Sequence, residues 1–420
     1  MTVFTRTTDR APGTQARTAG TLGSVPRRRS HARHHVGFWL VAATFTLTMA
    51  FSTVPTPLYP LYQRADGFGP FVVTIVFATY AVGVLAALFL AGHLSDWFGR
   101  RTVLLPAIAL SIASALVFAS WSSVPVLLVA RLLSGLSVGL LTATATAYLD
   151  DLHRHARPGA SSVRANVVAT AANLGGLGLG PLVSGLLAEH TSAPLHTPYL
   201  LFLGLFVLGA VAVVLTPETV ERPDPRPRYR PQRISVPDRA RPAFFAAAGA
   251  ALIAFAVFGL FTSLTPVVLR DLHVASPTVT GLAAFLVFGS AASAQILLAR
   301  LGTRTQLLLG LGLLAVGMAA LTAAVWTADL PLFLVGGAVS GAAAGTAFKG
   351  SVSTVLSLAV PERRGETLTG LFLAAYLGLS LPVLGLGLAV QTVPVRDAVL
   401  VFAFLVAVPA VLLARRFARR

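Results

Sequence analysis

The chain has 420 residues, of which 55% are hydrophobic and only 11% charged, with a formal net charge of +17 and no cysteine. A soluble domain is typically about 25% charged, so an ordinary soluble globule is excluded, and the missing thiols exclude disulfides, thiolate nucleophiles and cysteine metal sites. The positive charge does not mark a nucleic-acid binder, because the arginines lie in loops and tails between apolar runs, as in membrane proteins.

Residues 1–36 are rich in Thr, Arg and Gly, lack an apolar face, and are expected to form a disordered cytoplasmic tail. Arg27-Arg28-Arg29 precedes an apolar run, as in a twin-arginine or secretory leader. That run is long enough to span and no clear cleavage site follows it, so it is expected to remain as the first span. Twelve apolar segments are predicted, over 37–58, 70–92, 102–121, 123–148, 165–188, 199–216, 243–268, 278–299, 305–326, 331–357, 367–390 and 396–414. Each can cross a hydrocarbon core about 30 Å thick at about 1.5 Å rise per residue. The Pro/Arg-rich stretch 217–242 holds no span. It is expected to be a cytoplasmic linker between an N-terminal six-helix bundle (37–216) and a C-terminal one (243–414), with a basic tail at 415–420.

With the N-terminus inside, twenty-seven of the 32 Lys and Arg fall on the cytoplasmic side, while the outer loops hold only Arg64, Arg270 and Arg396. This bias predicts that both termini are cytoplasmic in a multi-pass plasma-membrane protein. The two halves repeat weakly in register. Phe98-Gly99-Arg100-Arg101-Thr102 matches Leu301-Gly302-Thr303-Arg304-Thr305. Ser134-Gly135 and Gly139 match Ser340-Gly341 and Gly345, and Arg157 and Gly159 match Arg363 and Gly365. Parallel repeats of this kind build transporters with a mid-membrane site between the halves.

The connection Gly92-His93-Leu94-Ser95-Asp96-Trp97-Phe98-Gly99-Arg100-Arg101 sets a carboxylate, a turn glycine and two arginines between two spans. Gly99 allows a tight turn, and Asp96 can sit near another helix's N-terminus or pair with an arginine. Helix 11, beginning near Glu366, is on the same side. The second-half copy has Ala299 where the aspartate would be. In helix 4, Arg131 lies far from both ends, so it either faces a cavity or snorkels outward; Gly135 and Gly139 permit close helix approach. Helix 5 carries Gly176-Leu177-Gly178-Leu179-Gly180-Pro181-Leu182-Val183-Ser184-Gly185, a kinked, closely packing sequence. Lys349, the only lysine, falls in helix 10. It either meets an anionic solute or changes protonation, or else snorkels to the interface.

These stretches resemble signatures of the major facilitator superfamily: the loop between helices 2 and 3, the helix-4 arginine with spaced glycines, and the helix-5 motif of exporting antiporters, with Ser184 where glycine is common. The resemblance spans residues 37–414. It implies an all-α integral membrane protein of twelve helices in two pseudo-symmetric six-helix bundles, a transporter and not an enzyme. It also implies that Gly92, Asp96, Gly99, Arg100 and Arg101 form a latch gating the cytoplasmic side. The helix-5 motif, through Gly180, Pro181 and Gly185, tilts the expectation towards export. All fifteen acidic residues lie in tails, loops or helix ends, so no mid-membrane carboxylate is available to carry a proton. Candidate cavity or coupling residues are Arg131, Lys349, Asn173 and Tyr376. The expected solute is a hydrophobic or amphiphilic small molecule, with uptake of a small, anionic metabolite or a non-transporting sensor as alternatives. No cofactor, metal or nucleic-acid site is expected, and the chain is expected to act as a monomer in the bilayer.

Overall fold

In a computed structural model of the chain, residues 25–92, 94–220, 229–360 and 363–419 are described, with side chains from residue 31 onward. Twelve helices are long and apolar enough to cross a membrane: α1 (His31–Asp66), α2 (Pro70–Ala91), α3 (Arg100–Ser120), α4 (Val124–Ala156), α5 (Val163–His190), α6 (Thr197–Leu215), α7 (Asp238–Ser263), α8 (Pro277–Leu297), α9 (Thr303–Thr327), α10 (Leu330–Leu358), α11 (Arg364–Ala389) and α12 (Val395–Ala418). The α1 helix reaches back to Val25, so the part of the expected irregular tail from Val25 to Val36 is helical; residues 1–24 lie outside the described ones. The ends of α2 and α3 joined by the Gly92–Gly99 connection are called the basic end below, and the opposite ends the distal end.

Two spans are irregular for identifiable reasons. The regular part of α1 stops at Thr53, and a 3-10 turn over Thr56–Leu58, flanked by Pro55 and containing Pro57, leads into Tyr59–Asp66. Proline supplies no N–H and cannot continue the ladder. The Val54 carbonyl at this break accepts the Ser184 hydroxyl at 2.9 Å, so the serine that departs from the helix-5 pattern has a partner. In α5, a π turn over Ala171–Gly175 widens the helix six residues before Pro181. Such turns leave backbone geometry unlike that of a straight span.

Helix contacts are set by small residues. A Cβ on Gly135 would overlap the Tyr80 carbonyl, and one on Gly139 would lie 2.6 Å from the Val84 carbonyl, so both glycines bring α4 onto α2. The repeat reproduces this contact: Gly341 and Gly345 bring α10 onto the Val287 and Ala291 carbonyls of α8. The helix-5 glycines divide between two neighbours. Gly176 and Gly180, four apart on one face, meet Thr46 and Ala50 of α1; Gly178 and Gly185 meet Phe285 and Pro277 of α8, in the other half. Without hydrophobic pressure between helices in lipid, such close approach supplies the packing attraction. Larger side chains fill each half: Phe51 packs against Phe118, Tyr199, Phe202 and Phe206 in the first, and Phe255 against Phe258, Phe348 and Tyr376 in the second.

Among the described residues, direct hydrogen bonds join the halves at the distal end, beyond the mid-span approach of Tyr80 to Tyr376. Thr56 Oγ1 donates to the Thr262 carbonyl at 2.8 Å. Glu189 Oε2 accepts from Ser276 Oγ at 2.7 Å and from the Thr278 amide at 3.0 Å. Gly281 packs on the Pro181 carbonyl, and Gly387 on Thr74.

Gly180→Val sets a branched side chain against the Ala50 carbonyl. It is expected to lower the thermal unfolding midpoint of the detergent-solubilised chain by a few degrees, the effect of overpacking by about 1–3 kcal/mol. Gly204→Ala, at a position with open space around it, is expected to leave the midpoint unchanged or raised.

Candidate functional site

The loop singled out by sequence is a charged knot at the basic end. Gly99 has φ +100°, and a Cβ there would lie 2.6 Å from Glu218 Oε2. Glycine is therefore needed twice, for the backbone angle and for the space. The Glu218 carboxylate accepts the backbone N–H groups of Arg100 (2.9 Å) and Arg101 (3.0 Å), the first residues of α3. It occupies the positive end of that helix, where an anion is favoured. Arg100, half-buried, donates to Asp96 at 2.5 Å, to Ser95 at 2.8 Å and to Asp151 of α4 at 3.1 Å. Asp151 also holds Arg154 at 2.6 Å. Arg101 turns the other way and donates to the Val214 carbonyl at the end of α6, at 3.1 Å.

Asp96 is thus bonded to Arg100 within its own connection, not to the start of α11. What stands between α2 and α11 is the linker. The Gln232 amide N–H donates to the Phe89 carbonyl of α2 at 2.8 Å, and its Oε1 accepts from Thr369 Oγ1 of α11 at 2.5 Å. Gly92 and Gly365 leave room for that side chain: a Cβ on either would come within 3.3 to 3.5 Å of its amide atoms. Tyr229 donates to the Leu90 carbonyl at 3.0 Å, Thr367 donates to the Ser235 carbonyl at 2.9 Å, and Ile234 packs on Gly370. Gly92 is accordingly a seat for the linker.

The remaining candidates lie apart from this knot. Arg131 is 2% exposed, which settles its environment as protein interior and not as snorkelling to a surface. Its Nη1 donates to the Ser52 carbonyl at 2.6 Å, and its guanidinium lies 4.6 Å from the Tyr80 ring centroid and 5.5 Å from that of Phe77. Its Nε has no partner. Lys349 donates to the Gln295 carbonyl in the last turn of α8 at 2.5 Å. A cation there meets the negative end of a helix, which gives this lysine a structural role on its own. Asn173 is half-buried inside the π turn of α5. Tyr376 is half-buried, with its ring 5.7 Å from that of Phe255. Sequence reasoning missed Glu218, Gln232 and Ser235, all in the irregular linker region, and counted Asp151 only among the fifteen acids of tails, loops and helix ends.

The internal repeat extends to these charges. Arg304, the counterpart of Arg101, donates to the Phe417 carbonyl at 3.1 Å and to that of Ala418, closing α12 as Arg101 closes α6. Gly302, by contrast, has an ordinary φ of −60°, and among the described residues no carboxylate stands against it.

Two repeated six-helix bundles that meet along small residues at one end, with a charged connection at the other, define the architecture of a secondary transporter. A sequence profile described as Major Facilitator Superfamily matches residues 40–382, and the chain belongs to that superfamily. Among curated relatives, the "Arabinose-proton symporter" of Bacillus subtilis (strain 168) is 33% identical over 82 residues, 20% of this chain and 18% of the relative. The "Putative multidrug resistance protein MdtD" of Klebsiella pneumoniae (strain 342) is 26% identical over 182 residues, 42% of this chain and 36% of the relative. The chain thus aligns with about a fifth and about a third of those proteins' lengths. The crystal structure of the human organic anion transporter MFSD10 (TETRAN) superposes with a TM-score of 0.62 at 20% identity, covering 92% of this chain and 99% of that one. The fold is therefore that of a major facilitator.

Gly99→Ala is expected to cost about 1–3 kcal/mol, from the left-handed φ and the overlap with Glu218. In a Glu218→Ala background the same change is expected to cost less, because only the backbone strain remains. Thermal unfolding of the two single variants and the double variant measures this coupling. Lys349→Met is expected to cost about 0.3–1 kcal/mol of stability, the worth of a cation at a helix C-terminus.

Proposed function

We propose that this transporter exports a hydrophobic or amphiphilic small molecule by alternating access, as a single chain in the plasma membrane, with the basic end and both termini in the cytoplasm. The carrying observation is the placement of the contacts between halves. Direct bonds join them at the distal end, while at the basic end Gln232 is inserted between α2 and α11. That arrangement fits a conformation closed outside and held apart inside. Rocking one half against the other would then break the Thr56–Thr262 and Glu189–Ser276 bonds, withdraw Gln232, and let α2 approach α11.

In this reading Asp96 is the moving part of the inner gate. With Gln232 withdrawn, its carboxylate exchanges Arg100 for the amide groups at the start of α11, around Arg364–Glu366. Arg100 stays neutralised by Asp151, so the exchange leaves no charge without a partner. Gly92, Gly99 and Arg101 hold the connection in the geometry that permits it. The orientation rests on the arginine bias. The direction rests on the resemblance of the helix-5 motif, whose glycines meet α1 on one face and α8 on the other, to that of exporting antiporters, and on the partial similarity to a protein named for multidrug resistance. The aromatic interior around Phe255, Phe258 and Tyr376 suits an apolar solute.

The test is solute movement in proteoliposomes of known sidedness, screening lipophilic drugs, sugars and organic anions with and without a pH gradient. Transport of a lipophilic compound from the basic side to the distal side is expected. Asp96→Asn is expected to slow it roughly tenfold, as the loss of a hydrogen bond to a charged group implies. Movement of sugars alone, or only in the opposite direction, would overturn the reading.

A further inference from the structure

Arg131 poses a question that helix packing does not answer. It is buried in the first half of the bundle, carries a guanidinium, and has no carboxylate partner among the described residues. A carbonyl and two aromatic faces stabilise it in part, and its Nε is left without a partner. A buried cation lacking a counter-ion is costly in a membrane interior. The fold does not require a cation here: the repeat offset that pairs Gly135 with Gly341 puts Gly337 at the matching position of α10, against the Phe261 ring. Tyr80, beneath the guanidinium, interacts through its hydroxyl with Ser52 and, across the halves, with Tyr376. The cation therefore sits beside the seam along which the halves separate.

A second observation lies above it at the distal end. The same offset of 206 that separates the bonded pair Thr56 and Thr262 also relates Pro60 to Pro266 and Arg64 to Arg270. Arg64 and Arg270 line one cleft between the halves, of about 30 Å³, together with Pro57, Pro60, Pro266 and Pro277. Both are exposed, and among the described residues neither belongs to an ion pair. They are two of only three cations on that side, where a membrane protein otherwise avoids them.

We infer that the cargo is an amphiphile bearing an oxyanion, which binds at Arg131 and leaves past Arg64 and Arg270 when the distal end opens. This rests on the export reading above and narrows its substrate class. The oxyanion supplies the counter-charge and bonds Nε and the free guanidinium edge, while the apolar part lies on Phe77, Tyr80 and Tyr376. Arg131 binds in the closed state. The Arg64 and Arg270 pair, brought to one cleft by the pseudo-symmetry, gives the departing anion a charged landing as the seam parts.

The experiment compares pyrenebutyrate with its neutral amide in proteoliposomes containing the full chain, alongside a lipophilic cation. Binding and export of the carboxylate at least about tenfold better than the amide are expected, the scale of one charge-assisted contact. Arg131→Gln is expected to abolish that preference, and Arg131→Lys to restore part of it. Arg64→Gln with Arg270→Gln is expected to leave carboxylate affinity intact and slow its export several-fold, with a weaker salt dependence. If Arg131→Gln does not fold, the carboxylate-to-amide ratio of the unaltered protein decides alone. Equal handling of carboxylate and amide, or export of the cation and amide without the carboxylate, would overturn the inference and leave the export reading standing. Failure of every probe in the wider screen would instead remove the export reading.

Discussion

Inside a bilayer an open backbone group has no water to turn to, and this chain closes several helix ends with charged side chains from elsewhere in the chain. Glu218 takes the first amides of α3, Arg101 the last carbonyls of α6, Arg304 those of α12, and Lys349 the end of α8. Each is a bond within one half or, for Glu218, between the first half and the start of the linker that follows it. The charges at the basic end thus staple each half to itself, while the halves hold each other mainly through small residues and a few hydroxyls at the opposite end. A rigid body on either side of a seam is what a rocking mechanism needs.

Much of this architecture is legible from hydropathy and glycine spacing, because both reflect local constraints. Span limits follow from the length of hydrocarbon to be crossed, and Gly135 and Gly139 announce a close helix contact by their four-residue spacing. The break in α1 and the π turn in α5 escape such reading: Pro55 and Pro57 hint at the first, but nothing in Ala171–Gly175 encodes an extra residue per turn. Glu218 and Gln232 escape for a different reason. They lie in sequence that looks like linker, and their partners are more than a hundred residues away. Asp96 is legible as a charged residue of the connection, but its partner, the arginine four positions on, is not the helix start that the resemblance suggested.

The repeat is most informative where it fails. Arg101 and Arg304 perform the same capping at matching positions of the two halves. Arg131 against Gly337, and Asp96 against Ala299, are departures, and each places a charge in the first half alone. Even at the pseudo-axis the symmetry is broken: Thr56 donates across the seam, whereas Thr262 donates to Phe258 in its own helix. The two halves therefore differ in where they carry charge within or beside their spans, Arg131 and Asp96 in the first and Lys349 in the second.

Gln232 has a consequence of a different kind. A residue lodged between α2 and α11 and joined covalently to both halves is an occupant that cannot diffuse away. Its effective concentration at the cleft is set by chain length and stiffness, on the order of millimolar for a short tether, and is independent of how much protein is present. In the proposed cycle the linker is an internal competitor for the space between α2 and α11, and its length and proline content set how often that end closes.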